Sequence, residues 1–149
     1  MPHALEIGAD GAARFAYNLE GGVPWHRLGT ALDGLQTADA MLAAAGADFR
    51  VELAHVLASA PDGTPLTNAD GSPIRVKQSR VAVRVNADGS RSGLATVGER
   101  YTVLQNRECL DYALEIVGAS NGDAVMDTAG VLHEGRRFFA TIDLGPLVI

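Results

Sequence analysis

The segment Arg80-Val81-Ala82-Val83-Arg84-Val85-Asn86-Ala87-Asp88-Gly89-Ser90-Arg91-Ser92 decides the fold. Arg80, Ala82 and Arg84 alternate with Val81, Val83 and Val85. A period of two is that of a strand, so the arginines share one face and the valines the other. Asn86-Ala87-Asp88-Gly89-Ser90 then supplies turn formers and a glycine able to take positive φ. A return strand over 92–97 follows, and the two runs read as an antiparallel hairpin.

The reading extends outward in both directions. Upstream, Phe49, Val51, Leu53 and His55 alternate with Arg50, Glu52 and Ala54, as in a half-buried strand. Pro61-Asp62-Gly63 and Asn68-Ala69-Asp70-Gly71-Ser72-Pro73 are dense in turn formers, so 60–73 reads as a loop or ragged hairpin. Thr37 reads as the N-cap of a helix over 38–45, with Asp39 near its positive end and Gly46 at its stop. Downstream, Asn106 reads as the N-cap of a helix over 107–117, ended by Gly118. Leu110, Ala113, Leu114 and Val117 form its core-facing stripe. Two further runs, 124–132 and 136–144, read as a second hairpin about His133-Glu134-Gly135. No internal repeat or low-complexity linker is read in the chain.

Consecutive antiparallel strands with two packed helices give an α+β single domain, not a doubly wound parallel sheet. Within it, residues 1–35 read as an N-terminal arm of short strands and turns. Residues 36–149 read as the α+β core domain.

The 149 residues are enough for one ordinary core. Seventeen glycines and six prolines agree with a turn-rich, stranded fold. No apolar run approaches the roughly 18 residues of a membrane helix, and the N-terminus has no basic start leading into an apolar block. A single cysteine, Cys109, makes no internal disulfide and suits a reducing cytoplasm. The expectation is a cytoplasmic protein without membrane association.

The net charge of −6 argues against a generally basic nucleic-acid binder, but the charge is uneven. Residues 1–72 hold nine acids and three bases, whereas 73–149 hold nine of each. Within 73–107, Arg75, Lys77, Arg80, Arg84, Arg91, Arg100 and Arg107 face only Asp88 and Glu99. A local excess of this size can act as an electrostatic footprint despite the acidic total.

Two motifs remain. Pro24-Trp25-His26-Arg27-Leu28-Gly29-Thr30 sets the only tryptophan beside a histidine and an arginine before a Gly-Thr turn. Val97-Gly98-Glu99-Arg100-Tyr101-Thr102-Val103-Leu104-Gln105-Asn106 runs from a strand into the second helix. Together they resemble the phage/plasmid-like proteins of unknown function, with their W-H-x-L-G-T motif and later G-x-x-Y-x-x-x-Q-N motif. The resemblance runs from His3 to about Gly135 and implies a home in mobile elements, with no established chemistry.

Catalytic signatures find no support. His3, His26, His55 and His133 show no metal-ligand spacing, so no metal or cofactor is expected. Cys109 has no local base, and Ser59, Ser79 and Ser90 lack a nucleophile elbow. Glu108, Asp111 and Glu115 read as a solvated helix surface. The phosphate-loop patterns are absent from the sequence.

The candidate functional surface is therefore the arginine strand. Lys77, Arg80, Arg84 and Arg100, with Arg107, would meet phosphates at intervals of about 7 Å, and Tyr101 would add a stacking face. The order hairpin, strand, helix is similar to the core of single-strand annealing proteins of the Rad52 type, which phages and plasmids carry. The expected function is a non-enzymatic phage, prophage or plasmid accessory protein binding single-stranded nucleic acid as a homo-oligomer. The alternative is an acidic interaction module for a host defence or replication protein. Trp25 is expected to be buried against the sheet with Leu28 beside it, His26 to bond a turn, and Gly29 to sit in that turn; the alternative is that Trp25 and His26 stack a base or hold a ligand. Gln105 is assigned to the strand–helix junction, serving backbone or ligand.

Overall fold

The computed structural model describes residues 4–34, 37–121 and 124–145. It has two helices and seven strands in the α+β arrangement expected. The strands divide into a four-stranded sheet and a three-stranded sheet. Contacts gather in two compact units, Met1–Arg50 with Leu104–Ile149, and Val51–Val103. They are called the core unit and the sheet unit below.

The core unit is built on β1 (Phe15–Asn18), β2 (Thr30–Leu32), β6 (Val125–Leu132) and β7 (Arg137–Asp143), in the order β2-β1-β6-β7. β1 pairs antiparallel with β6 and parallel with β2. The stretch read as an arm thus supplies an inner and an edge strand of the larger sheet. The reason lies in β1 itself: Phe15, Ala16, Tyr17 and Asn18 are all buried, so this short run had no polar face to alternate. β6 and β7 form the expected second hairpin, with His133 and Glu134 both at positive φ in its turn.

Two helices complete this unit. Helix α1 (Ala38–Ala44) takes Thr37 as its N-cap, the Thr37 hydroxyl accepting the Ala40 amide at 3.2 Å. It buries Ala38, Met41 and Leu42. Helix α2 (Asn106–Ala119) packs on α1, β6 and β7. Leu110 of its expected stripe is fully buried, and Ala113, Leu114 and Val117 are half-buried. The helix begins one residue earlier than expected and runs past Gly118 to Ala119.

That shift changes the roles of two residues. Gln105, not Asn106, is the N-cap, and its amide donates to the Glu108 carboxylate at 2.9 Å. Asn106 is buried as the first helical residue, and its Nδ2 donates to the Ala47 carbonyl at 3.0 Å. Its amide side chain ties α2 to the chain leaving α1, which a cap assignment from spacing alone had missed.

The sheet unit holds β3 (Arg50–Leu57), β4 (Arg75–Val85) and β5 (Arg91–Gly98), in that order. The β4–β5 hairpin is the one read from the alternation, with a bulge that places Leu94 as an extra residue on β5. Of the two readings for residues 60–73, loop or hairpin, the structure has the hairpin, in two ordered turns. The amides of Ala58, Leu66 and Ile74 donate in a cycle to the carbonyls of Ile74, Ala58 and Leu66 at 2.9–3.0 Å.

A repeat emerges here that the sequence reading did not find. Asn68-Ala69-Asp70-Gly71-Ser72 recurs as Asn86-Ala87-Asp88-Gly89-Ser90, and Ala60-Pro61-Asp62-Gly63-Thr64 is a variant of it. All three turns share one geometry. The aspartate Oδ1 accepts the amide two residues on at 2.9 Å. The glycine lies at φ +81° to +87°. In the two identical copies the serine hydroxyl adds a 2.6 Å bond to the same oxygen. Each aspartate pKa lies below its ordinary value: the Ser72 and Ser90 hydroxyls, then their amides, hold the charged forms of Asp70 and Asp88, and the Thr64 amide, then its side chain, holds that of Asp62.

Among the described residues no helix is long and apolar enough to cross a membrane.

Candidate nucleic-acid interface

The basic residues of the sheet unit are Arg75, Lys77, Arg80, Arg84, Arg91 and Arg100, against Glu52, Asp62, Asp70, Asp88 and Glu99. Five of the bases lie on β4 and β5 and Arg100 in the turn after β5, whereas Asp62, Asp70 and Asp88 sit in the three repeated turns. Those three carboxylates are held by their own turns.

Register assigns the bases to faces. Arg80 pairs with Val97, Ala82 with Ala95 and Arg84 with Ser92, so these six share one face. Val85 pairs with Arg91, which puts Arg91 on the valine face. Lys77 stands three residues from Arg80 and therefore also lies on the valine face, with Arg75. The expected single set of Lys77, Arg80, Arg84 and Arg100 is thus split. Arg80 and Arg84 are brought together, and Lys77 is not. Arg100 and half-exposed Tyr101 follow Gly98, whose carbonyl accepts the Tyr101 amide at 3.1 Å. Since Gly98 pairs with Ser79, this turn follows a β5 end that lies level with the middle of β4.

The two faces differ in availability. Arg80 and Arg84 are half-buried, and the Arg84 Nε donates to Asn86 Oδ1 at 2.7 Å. Arg80 lies 3.4 Å from His55 Nδ1. Partial desolvation, then the cations of Arg75 and Arg80, hold the His55 imidazole below its usual pKa. His55 was passed over in the sequence because one histidine in an alternating strand carries no signal of its neighbours. Arg75, Lys77, Arg91 and Arg100 are exposed and, among the described residues, have no ion pair.

Arg107 leaves the basic set altogether. It belongs to the core unit, where it pairs with Asp39 of α1 and, at 3.1 Å, with Asp111 one turn along α2. These two carboxylates raise its pKa, the Asp39 hydrogen bond being the larger cause.

The tryptophan motif departs from expectation at Trp25 and Leu28 and meets it at His26 and Gly29. Trp25 is 79% exposed rather than buried, and Leu28 is also exposed. His26 does serve the turn, its Nδ1 accepting the Leu28 amide at 3.1 Å. His26, not the indole, is the ring that packs on the sheet, edge-on to Phe15 at 5.0 Å. Gly29 lies in the turn at φ +99°, where an added Cβ would fall 2.5 Å from the Phe15 carbonyl oxygen.

Among the described residues, no group of three or more His, Cys, Asp or Glu side chains is placed to hold a metal ion.

No curated protein and no solved structure matches the chain. Over residues 93–148 it is similar to the family described as Domain of unknown function (DUF932), from within β5 through α2 to beyond β7. The second motif lies inside this span and the tryptophan motif outside it. What the resemblance amounts to is thus a likeness, over that span, to a domain of unknown function.

Proposed function

We propose that the chain is a non-enzymatic, cytoplasmic accessory protein of a phage, prophage or plasmid whose sheet unit binds single-stranded nucleic acid. The observation that carries this reading is the set of exposed cations Arg75, Lys77, Arg91 and Arg100, which have no ion pair among the described residues. Arg80 and Arg84, half-buried and hydrogen-bonded, add positive charge on the opposite face. Tyr101 offers a ring on which a base stacks. Three consecutive antiparallel strands followed by a helix also follow the element order of single-strand annealing proteins. In this chain α2 packs within the core unit, so the proposal rests on charge placement and not on that order.

Labelled oligo-dT titrated with the protein tests it by anisotropy. Binding at about 50 mM salt should weaken steeply as salt rises, with a log–log slope of about −0.7 per phosphate neutralised. Lys77→Ala and Arg91→Ala should each flatten that slope. Bound phosphate near Arg75 and Arg80 should also raise the His55 pKa, read by NMR titration of its ring. No binding at that salt with micromolar protein would refute the reading.

A second reading has its own observation. The core unit holds thirteen acids and six bases, a balance suited to a basic host protein involved in defence or replication. A stoichiometric protein partner that survives nuclease treatment, with no oligonucleotide binding, would favour it.

A further inference from the structure

The segment between β1 and β2 is held at several points. Asn18 Nδ2 donates to the Met126 carbonyl at 3.3 Å, and its Oδ1 accepts the Glu20 amide at 3.1 Å. The Gly22 amide closes the short turn Leu19–Gly21 on the Leu19 carbonyl, and the Arg27 amide closes a second turn on the Pro24 carbonyl. Arg27 takes φ +53°, a left-handed conformation that costs a non-glycine residue energy. Gly29 then admits the close approach to Phe15, and β2 begins its parallel pairing with β1 at Thr30.

This ordered and locally strained loop leaves its largest apolar side chain in solvent. Trp25 is 79% exposed, and Leu19, Val23 and Leu28 within the same ten residues are exposed too. An indole buries more area than almost any other side chain, and tryptophans recur as anchors at the centre of protein interfaces. The usual solution would have been to fold the indole inward, but His26 occupies the place on Phe15.

Charge identifies the occupant. Much of the core unit is acidic, but the segment from Leu19 to Leu28 holds one acid, Glu20, and one base, Arg27. Both are exposed, and among the described residues neither has an ion pair. A patch with one charge of each sign flanking apolar side chains is complementary to itself under a two-fold axis. In such a pairing Glu20 of each copy would face Arg27 of the other.

We propose that the Leu19–Leu28 loop is a self-association surface, with Trp25 as its anchor and a second copy of this chain as its occupant. The patch is small against the roughly 800 Å² per partner of a standard interface, so the dimer is weak and concentration-dependent. The proposal stands apart from nucleic-acid binding by the sheet unit, and either can fail without the other.

Trp25 is the only tryptophan, so its emission reports on the patch directly. Sedimentation from about 1 to 100 µM should show monomer passing to dimer, accompanied by a blue shift and protection from acrylamide quenching. Trp25→Ala should remain monomeric across this range, with the melting temperature of the unaltered chain at the dilute, monomeric end. Glu20→Arg and Arg27→Glu should each weaken the dimer at least tenfold, and the double swap should restore it. A chain that stays monomeric with concentration-independent emission overturns the proposal. So does a dimer that persists in Trp25→Ala, or a double swap that fails to recover association. Quenching of Trp25 in the monomer by oligo-dT would reassign the indole to nucleic acid and overturn it as well.

Discussion

The core unit buries Phe15, Ala16, Met41, Leu42, Leu110, Met126, Ala129 and Val131, whereas the sheet unit buries only Ala82 and Leu94 among its hydrophobic side chains. The first is held by apolar area removed from water, at about 25 cal/mol per Å². The second is held by ladder hydrogen bonds and by three turns of one design, each bond contributing about 1 kcal/mol net. A three-stranded sheet with so little buried area is marginal. Stability and the candidate binding surface are therefore divided between the units. The unit that offers exposed cations is the one with little packing to lose.

Truncation in the core should show this contrast at its largest. Leu110 is completely buried, so Leu110→Ala should lose about 2–5 kcal/mol in chemical denaturation. A smaller loss would mean that the half-buried remainder of the α2 stripe closes over the cavity. Next comes the tie between α2 and the residue after α1. Asn106→Asp removes the donor to the Ala47 carbonyl in a buried setting and should cost about 1–3 kcal/mol, as should Asn106→Ala. An N-cap would tolerate aspartate, so a neutral Asn106→Asp would return this residue to a capping role.

The sheet unit should respond to its turns instead. Ser90→Ala removes one of the two donors that hold the Asp88 carboxylate, and its pKa should rise toward the ordinary value in a carboxyl NMR titration. The sign for stability follows from the depressed folded pKa values of Asp62, Asp70 and Asp88. Their contribution is present above the usual carboxylate range and is lost as pH falls through the lowered folded values. Hydrogen exchange should therefore report earlier opening of β4 and β5 amides than of β1 and β6, with the gap widening in acid and in Ser90→Ala. Equal protection of the two sheets at every pH would break the contrast.

Much of the fold was legible because its signals are local. The alternation at 80–85 and the Asn-Ala-Asp-Gly-Ser turn specify a hairpin wherever they occur, and Thr37 caps the helix it precedes. What escaped was set by distant partners. β1 looked like part of an arm because its strand neighbours, β2 and β6, are supplied by residues 30–32 and 125–132. Asn106 looked like a cap because Ala47, which it actually serves, is 59 residues away. The repeat at 68–72 and 86–90 is visible letter by letter, but its residues are turn formers whose recurrence in a strand-rich chain needs no repeat to explain it. For the basic surface, period two was enough to separate Lys77 from Arg80. Grouping them by charge alone ignored the pleat.

The smallest expected effect falls on the residue that attracts most notice in the sequence. A buried indole would lose roughly 3–5 kcal/mol on truncation. Trp25, at 79% exposure, has little area to surrender, although it does stack edge-on to His26 at 5.5 Å. The loop is instead held by His26 on Phe15, by the Leu28 amide on His26 and by Gly29 against β1. Trp25→Ala should therefore change the unfolding free energy of the monomer by no more than about 0.5 kcal/mol, as other exposed substitutions do. Gly29→Ala, which drives a Cβ against the Phe15 carbonyl, should destabilise clearly in the same assay. The comparison must be made at concentrations where the chain is monomeric, because loss of self-association would otherwise be read as loss of fold. A large fall in Trp25→Ala stability under those conditions would show the indole packing inward in solution. It would also remove the contrast between a motif that presents its tryptophan and a core that buries its leucines.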